Sequence, residues 1–300
     1  MVQSISMAQI LSPELLLAAL MLASTYALVA LGLNLIYGAM RLLNVAHGDL
    51  MVLGGYVAWS GFTLLGMSPL LGLFGAMLLA AGLGIACYTL FFKRLVRNTA
   101  IAARLEANSL LIFFGVSIIL QNLMSLAFTA DARSYSYMDT LVQWGSVSIA
   151  LNRLMILGIS AGATLAVLCF LRFSVFGIAI RALIQQRDAA SLVGIDADRI
   201  NIAVFCLGFA LAGLAGALIS MTESVTPFGG FPFTIAAFVV VILGGLGSLG
   251  GAVAGSLLLA FVEVYGVTLS SAAYRSILVY GLFILILFVR PQGLFGRKAH

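Results

Sequence analysis

Residues 233–266 read FTIAAFVVVILGGLGSLGGAVAGSLLLAFVEVYG, 34 residues with a single charge, Glu263. As one helix the stretch would be about 51 Å long at 1.5 Å per residue, against a hydrocarbon core of about 30 Å. That is too long for one crossing, and Gly244-Gly245-Leu246-Gly247-Ser248-Leu249-Gly250-Gly251 interrupts it midway. The stretch therefore reads as a re-entrant or broken helix pair. Non-helical backbone at membrane depth is tolerated only where protein buries it or where it lines a watery cavity. This element belongs inside a bundle.

The rest of the chain supplies that bundle. With 63% of its residues hydrophobic and 8% charged, the chain has too little polar surface to cover a soluble globule of 300 residues. Further apolar segments lie at 15–36, 50–65, 70–92, 107–128, 154–171, 200–221 and 276–289, and Gly66-Met67-Ser68-Pro69 separates two that would otherwise merge. The expected fold is all-α, one polytopic transmembrane bundle of about eight spans occupying residues 1–300. Residues 1–14 contain no Lys or Arg, so the first apolar segment reads as a retained helix rather than a signal peptide. Cys87, Cys169 and Cys206 lie inside apolar runs without metal-ligand spacing and read as packing residues.

The net charge of +5 does not indicate nucleic acid, because the basic residues sit in short gaps between spans rather than on one face. They set topology instead. Arg41, Lys93, Arg94, Arg97, Arg104, Arg172, Arg181, Arg187, Arg199, Arg290, Arg297 and Lys298 fall on one side, and Arg133, Arg153 and Arg275 on the other. The first side is then cytoplasmic, with the N-terminus outside and the C-terminus inside. Six crossings return the chain outside near Glu223, and the last must end inside at Arg290. The 233–266 stretch must therefore cross twice or not at all.

A second break lies near the front, in Tyr37-Gly38-Ala39-Met40-Arg41-Leu42-Leu43-Asn44-Val45-Ala46-His47-Gly48-Asp49. Each half of the chain thus carries one glycine-interrupted element, as in transporters whose repeats place a pathway at the bilayer midplane. Close helix packing alone also explains glycines in membrane helices. Asn44, His47, Gly48, Asp49, Gly244, Gly245, Gly247 and Ser248 are the candidate pathway or helix-break residues. Arg41, His47 and Asp49 are expected in a short loop at the cytoplasmic interface, held by hydrogen bonds and a salt bridge, with substrate contact as the competing role. Glu263 is expected at an interface, as are Tyr135, Tyr137 and Trp144 on the outer side. Asp131 and Asp139 there are placed to face a soluble receptor.

The cytoplasmic segment 172–201 contains RALIQQRDAASLVGIDADR from Arg181 to Arg199. Its composition suits a short surface helix turned at Gly194, presenting small residues to a partner or simply to water. Taken with Leu33-Asn34-Leu35-Ile36-Tyr37-Gly38, Asn44-Val45-Ala46-His47-Gly48-Asp49, Leu243-Gly244-Gly245-Leu246-Gly247-Ser248 and Arg290-Pro291-Gln292-Gly293-Leu294-Phe295-Gly296, the string Ala189-Ala190-Ser191-Leu192-Val193-Gly194-Ile195 closely resembles the permeases of branched-chain amino-acid ABC importers, the LivH family. The match runs over about residues 20–296. It implies that Arg181, Asp188, Ala189, Ala190, Ser191, Gly194, Ile195 and Arg199 form the helix that couples to an ATPase. It also implies a second homologous permease, two ABC ATPase subunits and a soluble substrate-binding protein as partners. Permeases for urea and short amides share these strings, and a stand-alone secondary transporter or channel is the rival from another class.

Neither Lys93 nor Lys298 stands in GxxxxGK[ST], so ATP and Mg are expected on partner subunits, with no cofactor on this chain. No HExxH or Ser/His/Asp set argues for catalysis, and no metal site is expected. The cation distribution yields a direct topology test. In a cysteine-free background, Asp139→Cys should react with an impermeant thiol reagent added outside, whereas Gln186→Cys should not. The opposite labelling pattern would invert the topology.

Overall fold

In a computed structural model of the chain the structure describes residues 12–97, 105–144, 147–290 and 292–295. Arg104, Arg297, Lys298, Pro291, Gly296 and most of the N-terminal stretch lie outside the described residues, as do the side chains of Arg97, Trp144, Arg187 and Asp188. The helices are α1 (Pro13–Met40), α2 (His47–Leu65), α3 (Pro69–Cys87), α4 (Lys93–Arg97), α5 (Leu105–Phe128), α6 (Leu151–Phe173), α7 (Val175–Gln185), α8 (Arg187–Leu192), α9 (Ala197–Ile219), α10 (Gly230–Gly244), α11 (Leu249–Leu269) and α12 (Arg275–Val289). A π-turn, Tyr88–Phe92, joins α3 to α4 without a break in the rod. The all-α expectation holds apart from a small antiparallel hairpin, Leu141–Trp144 with Val147–Ala150, before α6.

Local chemistry sets the ends. Ser12 caps α1, its hydroxyl accepting the Leu15 N–H, and Pro13 stands at the first helical position, where no N–H is needed. Gly66 ends α2 in the left-handed region and Pro69 opens α3, the turn expected from the sequence.

Among the described residues seven helices are long and apolar enough to cross a membrane: α1, α3 with its continuation, α5, α6, α9, α11 and α12 with its preceding turn. The other two apolar elements of the bundle differ in kind. The α2 helix was expected as a full span, but it starts in the middle of the bundle. His47 bonds the Val29 carbonyl, and Val29 is the seventeenth of the 28 residues of α1, so the 41–46 linker doubles back along α1 before α2 begins. The 15-residue α10 likewise starts at depth, its Gly230 lying against Gly48.

This arrangement is an inverted correspondence. A long helix, a linker that doubles back and a helix starting at mid-depth occur once as α1–α2 and again as α9–α10. The α9 helix packs on α3 as α1 packs on α11. The two halves meet where α1 crosses α9: a Cβ on Gly32 would lie 2.6 Å from the Gly208 oxygen, and one on Gly208 would lie 2.8 Å from the Gly32 oxygen. Without a hydrophobic drive between helices in lipid, such close backbone approach supplies the packing. The α9 helix occupies the centre and is mostly buried, whereas α3, α5 and α12 turn Phe74, Leu78, Leu111, Phe114, Ile284 and Phe288 outward.

Candidate functional site

Two sites of irregular backbone lie on the inner helices. The first is the mid-depth crossing of α2 and α10. A Cβ on Gly48 would overlap the Gly230 carbonyl oxygen, and one on Gly230 would come within 2.6 Å of Asp49 Oδ1, so only glycine lets the two helix starts abut. Thr234 of α10 ties them: the Gly48 N–H donates to its hydroxyl at 2.8 Å, and that hydroxyl donates to the Val45 carbonyl at 3.2 Å.

The expectation of an interfacial, salt-bridged loop is corrected here. His47 and Asp49 are buried at depth, and among the described residues no ion pair joins Asp49 to Arg41. The Asp49 carboxylate instead accepts from Ser117 Oγ and, at 3.0 Å, from Gln121 Nε2, both on α5. It also lies in the first turn of α2 and beside the first residue of α10, where the partial positive charge of helix N-termini favours an anion. These four influences offset the cost of burying the carboxylate. Asn44 is fully buried, and neither its amide nitrogen nor its amide oxygen has a partner among the described residues. The same is true of His47 Nδ1.

The second site is the break between α10 and α11, at the end of the bundle that carries α7 and α8. The expectation of a broken pair over 233–266 holds, and the interruption narrows to Gly245-Leu246-Gly247-Ser248. Gly245 and Gly247 have φ of 98° and 81°, a region that disfavours side chains. Gly244 packs so tightly on Gly251 that a Cβ on either would overlap the other's carbonyl. Ser248 caps α11 by accepting the Gly251 N–H.

The exposed polar backbone of the break is satisfied from outside it. The Asn34 side chain on α1 donates to the Ser248 carbonyl and accepts the Gly247 N–H, both at 2.8 Å. The tail after α12 closes the other side, Leu294 N–H donating to the Leu243 carbonyl at 2.8 Å and Phe295 N–H to that of Gly244 at 3.1 Å. Three of the sequence strings, those around Asn34, Gly245 and Leu294, thus converge on one turn.

The segment 172–201 folds as α7, α8 and the start of α9. Ser174 caps α7, and Asp196 caps α9 by accepting the N–H groups of Asp198 and Arg199. Gly194 has φ 85° and open space around it, and the Gly194 and Ile195 N–H groups donate to the carbonyls of Ser191 and Ala190. The expected knob of small residues changes in detail. Ala190 turns inward, only 4% exposed, while Ala189 and Ser191 stay exposed beside Leu192 and Val193, which are 88% and 78% exposed. Ile195 is half-buried. Arg199 forms an exposed pair with Asp196, Nε–Oδ2 3.0 Å, of the kind that contributes little to stability. Arg181 Nη2 donates to the Arg172 carbonyl. Ile184 of α7 joins this segment to the break: a Cβ on Gly38 would lie 3.4 Å from Ile184 Cδ1, and one on Gly247 would lie 3.8 Å from Ile184 Cγ2.

Glu263, expected at an interface, is a buried carboxylate that accepts from Tyr26 at 2.8 Å and pairs with Arg275, whose outer part is exposed. Near the hairpin, Glu14, Asp139, Arg153 and Glu223 edge a cavity of about 750 Å³, and Asp139 accepts from Asn152 at 2.6 Å. Tyr135 packs against Phe62 and shares a hydrogen bond with Ser220, and burial pushes its phenol pKa up.

A family model described as "Branched-chain amino acid transport system / permease component" matches residues 15–287. The chain belongs to this family. It is 34% identical over 293 residues to the high-affinity branched-chain amino acid transport system permease protein LivH of Salmonella typhimurium strain LT2, covering 92% of each chain. With BraD of Pseudomonas aeruginosa, a permease of the same description, it shares 31% over 288 residues, 93% of this chain and 94% of BraD. With LivM of Escherichia coli K12, also described as a permease of that transport system, it shares 28% over 301 residues, 91% of this chain and 68% of LivM. No solved structure matches. Family membership sets aside the stand-alone transporter, and the urea and amide reading gains no support from these relatives.

Sequence reasoning missed Asn34, Ser117, Gln121, Gly230 and Thr234 as site residues. Ser117 and Gln121 carried a signal, two polar residues one helical turn apart in an apolar span. The Asn34 clamp yields a prediction. Asn34→Leu removes the side-chain partner of both the Gly247 N–H and the Ser248 carbonyl, at about 1–3 kcal/mol for each group that water does not take over. Thermal unfolding of the detergent-solubilised protein should begin several degrees lower, and substrate uptake should fall at least tenfold. An unchanged melting curve with normal uptake would show that the break does not depend on this side chain.

Proposed function

We propose that this chain is a membrane-spanning permease subunit of a binding-protein-dependent ABC importer that carries leucine, isoleucine and valine across the bacterial inner membrane. Its N-terminus lies outside and its C-terminus in the cytoplasm. Membership of the family and the descriptions of LivH and BraD as branched-chain amino acid transport permeases support the substrate class. The similarity to LivM supports a second, homologous permease as partner. Two ABC ATPases, which bind ATP and Mg, and a soluble receptor at the hairpin end complete the assembly.

The observation that carries the mechanical reading is the seat of α7 against the helix break through Ile184. The exposed tip of Leu192, Val193 and Gly194 meets the ATPase, and displacement of the tip moves α7. Ile184 slides past Gly38 of α1 and passes that movement to the turn at Gly247. The half-helix α10 joins that turn to the crossing at Gly48 and Gly230, so movement of the break reaches mid-depth. The unpartnered groups of Asn44 and His47 gain water or substrate as partners when the crossing opens, which offsets their cost in the closed state.

Gly194→Asp tests the docking step. It places a charge in the proposed protein contact and a side chain at a left-handed position, with no neighbour among the described residues to disturb. The permease should insert at wild-type level, while ATPase copurification or substrate-stimulated ATP hydrolysis falls at least tenfold. Normal values for both quantities at equal permease levels would remove the segment from the coupling role.

A further inference from the structure

A second cavity, of about 740 Å³, opens at the cation-rich end of the bundle, between the end of α1, α7 and the helix break. Arg41, Arg181, Tyr37, Gln185 and Ser248 supply its polar wall, and Leu246, Leu249 and Phe295 its apolar wall; among the described residues no carboxylate lines it. Arg41 ends α1 with φ 56°, a left-handed conformation uncommon outside glycine, and its guanidinium has no hydrogen-bond or ion-pair partner among the described residues. Arg181 commits one nitrogen to the Arg172 carbonyl, and its Nε is buried without a partner among the described residues. The N-terminus of the 21-residue α11 opens on the same space at Ser248 and Leu249. Glu106, the carboxylate approached from this wall, is engaged by the Tyr37 hydroxyl at 3.1 Å.

Two guanidinium groups and a helix N-terminus around one space call for an anion with several oxygens, and phosphate suits the planar donors of arginine. The cavity is far larger than inorganic phosphate, and its remaining wall is apolar and open. Leu246 and Phe295 are 47% and 58% exposed, and the tail bearing Phe295 continues from α12, whose Ile284, Leu285, Phe288 and Val289 face outward. We infer that the cavity seats the phosphate headgroup of an anionic phospholipid on Arg41 and Arg181, with its acyl chains against Phe295 and the outer face of α12. Basic pockets between membrane helices bind lipid headgroups in this manner. On the coupling reading above, the headgroup would tie α7 to α1 beside the break, so lipid composition would set how readily the break moves. Binding itself does not depend on that reading.

The test uses the full chain in its purified transporter, stripped of lipid and exchanged into phosphatidylcholine with phosphatidylglycerol added, and reads retained lipid by native mass spectrometry. Phosphatidylglycerol should be retained at least tenfold over phosphatidylcholine. Arg41→Gln with Arg181→Gln should abolish that preference, and Arg41→Lys with Arg181→Lys should restore most of it. Excess inorganic phosphate should leave the lipid in place. Equal retention of the two lipids by the wild type would overturn the proposal without recourse to any variant. So would unchanged preference in the glutamine pair, and displacement by millimolar phosphate would assign the cavity to a soluble anion instead.

Discussion

The whole arrangement depends on one contact, the abutment of Gly48 and Gly230 in the middle of the bundle. A helix that begins inside hydrocarbon exposes amide groups that nothing in lipid can pair. Here two such starts face each other, and each helps to meet the other's need. Thr234 of α10 accepts the Gly48 amide of α2, and the Asp49 carboxylate of α2 lies against the first residue of α10. The linkers 41–46 and 220–229 double back into the bundle to reach that point, and α5 is held there by Ser117 and Gln121. Any side chain at either glycine would push the starts apart and leave the donors unpaired.

The break at Gly245–Ser248 follows a related logic at the other end of α10. Its turn needs two residues with positive φ, and its carbonyl and amide groups need partners that the turn cannot supply. Asn34 and the tail at Leu294 and Phe295 provide them from opposite sides. Because Ile184 of α7 lies beside the same turn, the proposed coupling would carry a force applied to α8 to a feature held by discrete hydrogen bonds rather than by diffuse packing. Such a contact suits switching between defined states better than gradual deformation.

Much of the fold was legible in the sequence, because bilayer thickness and backbone satisfaction leave few choices. The length of 233–266 and its glycines forced a broken pair, and Gly66 with Pro69 marked the α2–α3 turn. The position of His47 and Asp49 was not legible. Their polarity argued for an interface, and only tertiary structure supplied the buried partners, Val29, Ser117 and Gln121, that make depth affordable. The burial of Ala190 was not legible for a similar reason. Its small side chain fits either a partner's cleft or the chain's own interior, and the fold of α7 on α8 decided for the interior.

Transmission of movement from α7 to the helix break is the central claim, and a reversible crosslink tests it most directly. A Cβ at Gly38 would lie 3.5 Å from Ile184 Cγ1, the place a cysteine sulfur at 184 would take, so a disulfide between cysteines at the two positions is within reach. The measurement is substrate uptake by the reconstituted transporter carrying Gly38→Cys with Ile184→Cys, in a background with Cys87, Cys169 and Cys206 replaced by alanine. Oxidation should stop uptake and reductant restore it, while each single cysteine variant transports under both conditions. Uptake by the fully crosslinked pair at the rate of its reduced form would contradict the account, because α7 would then not move against α1 during transport.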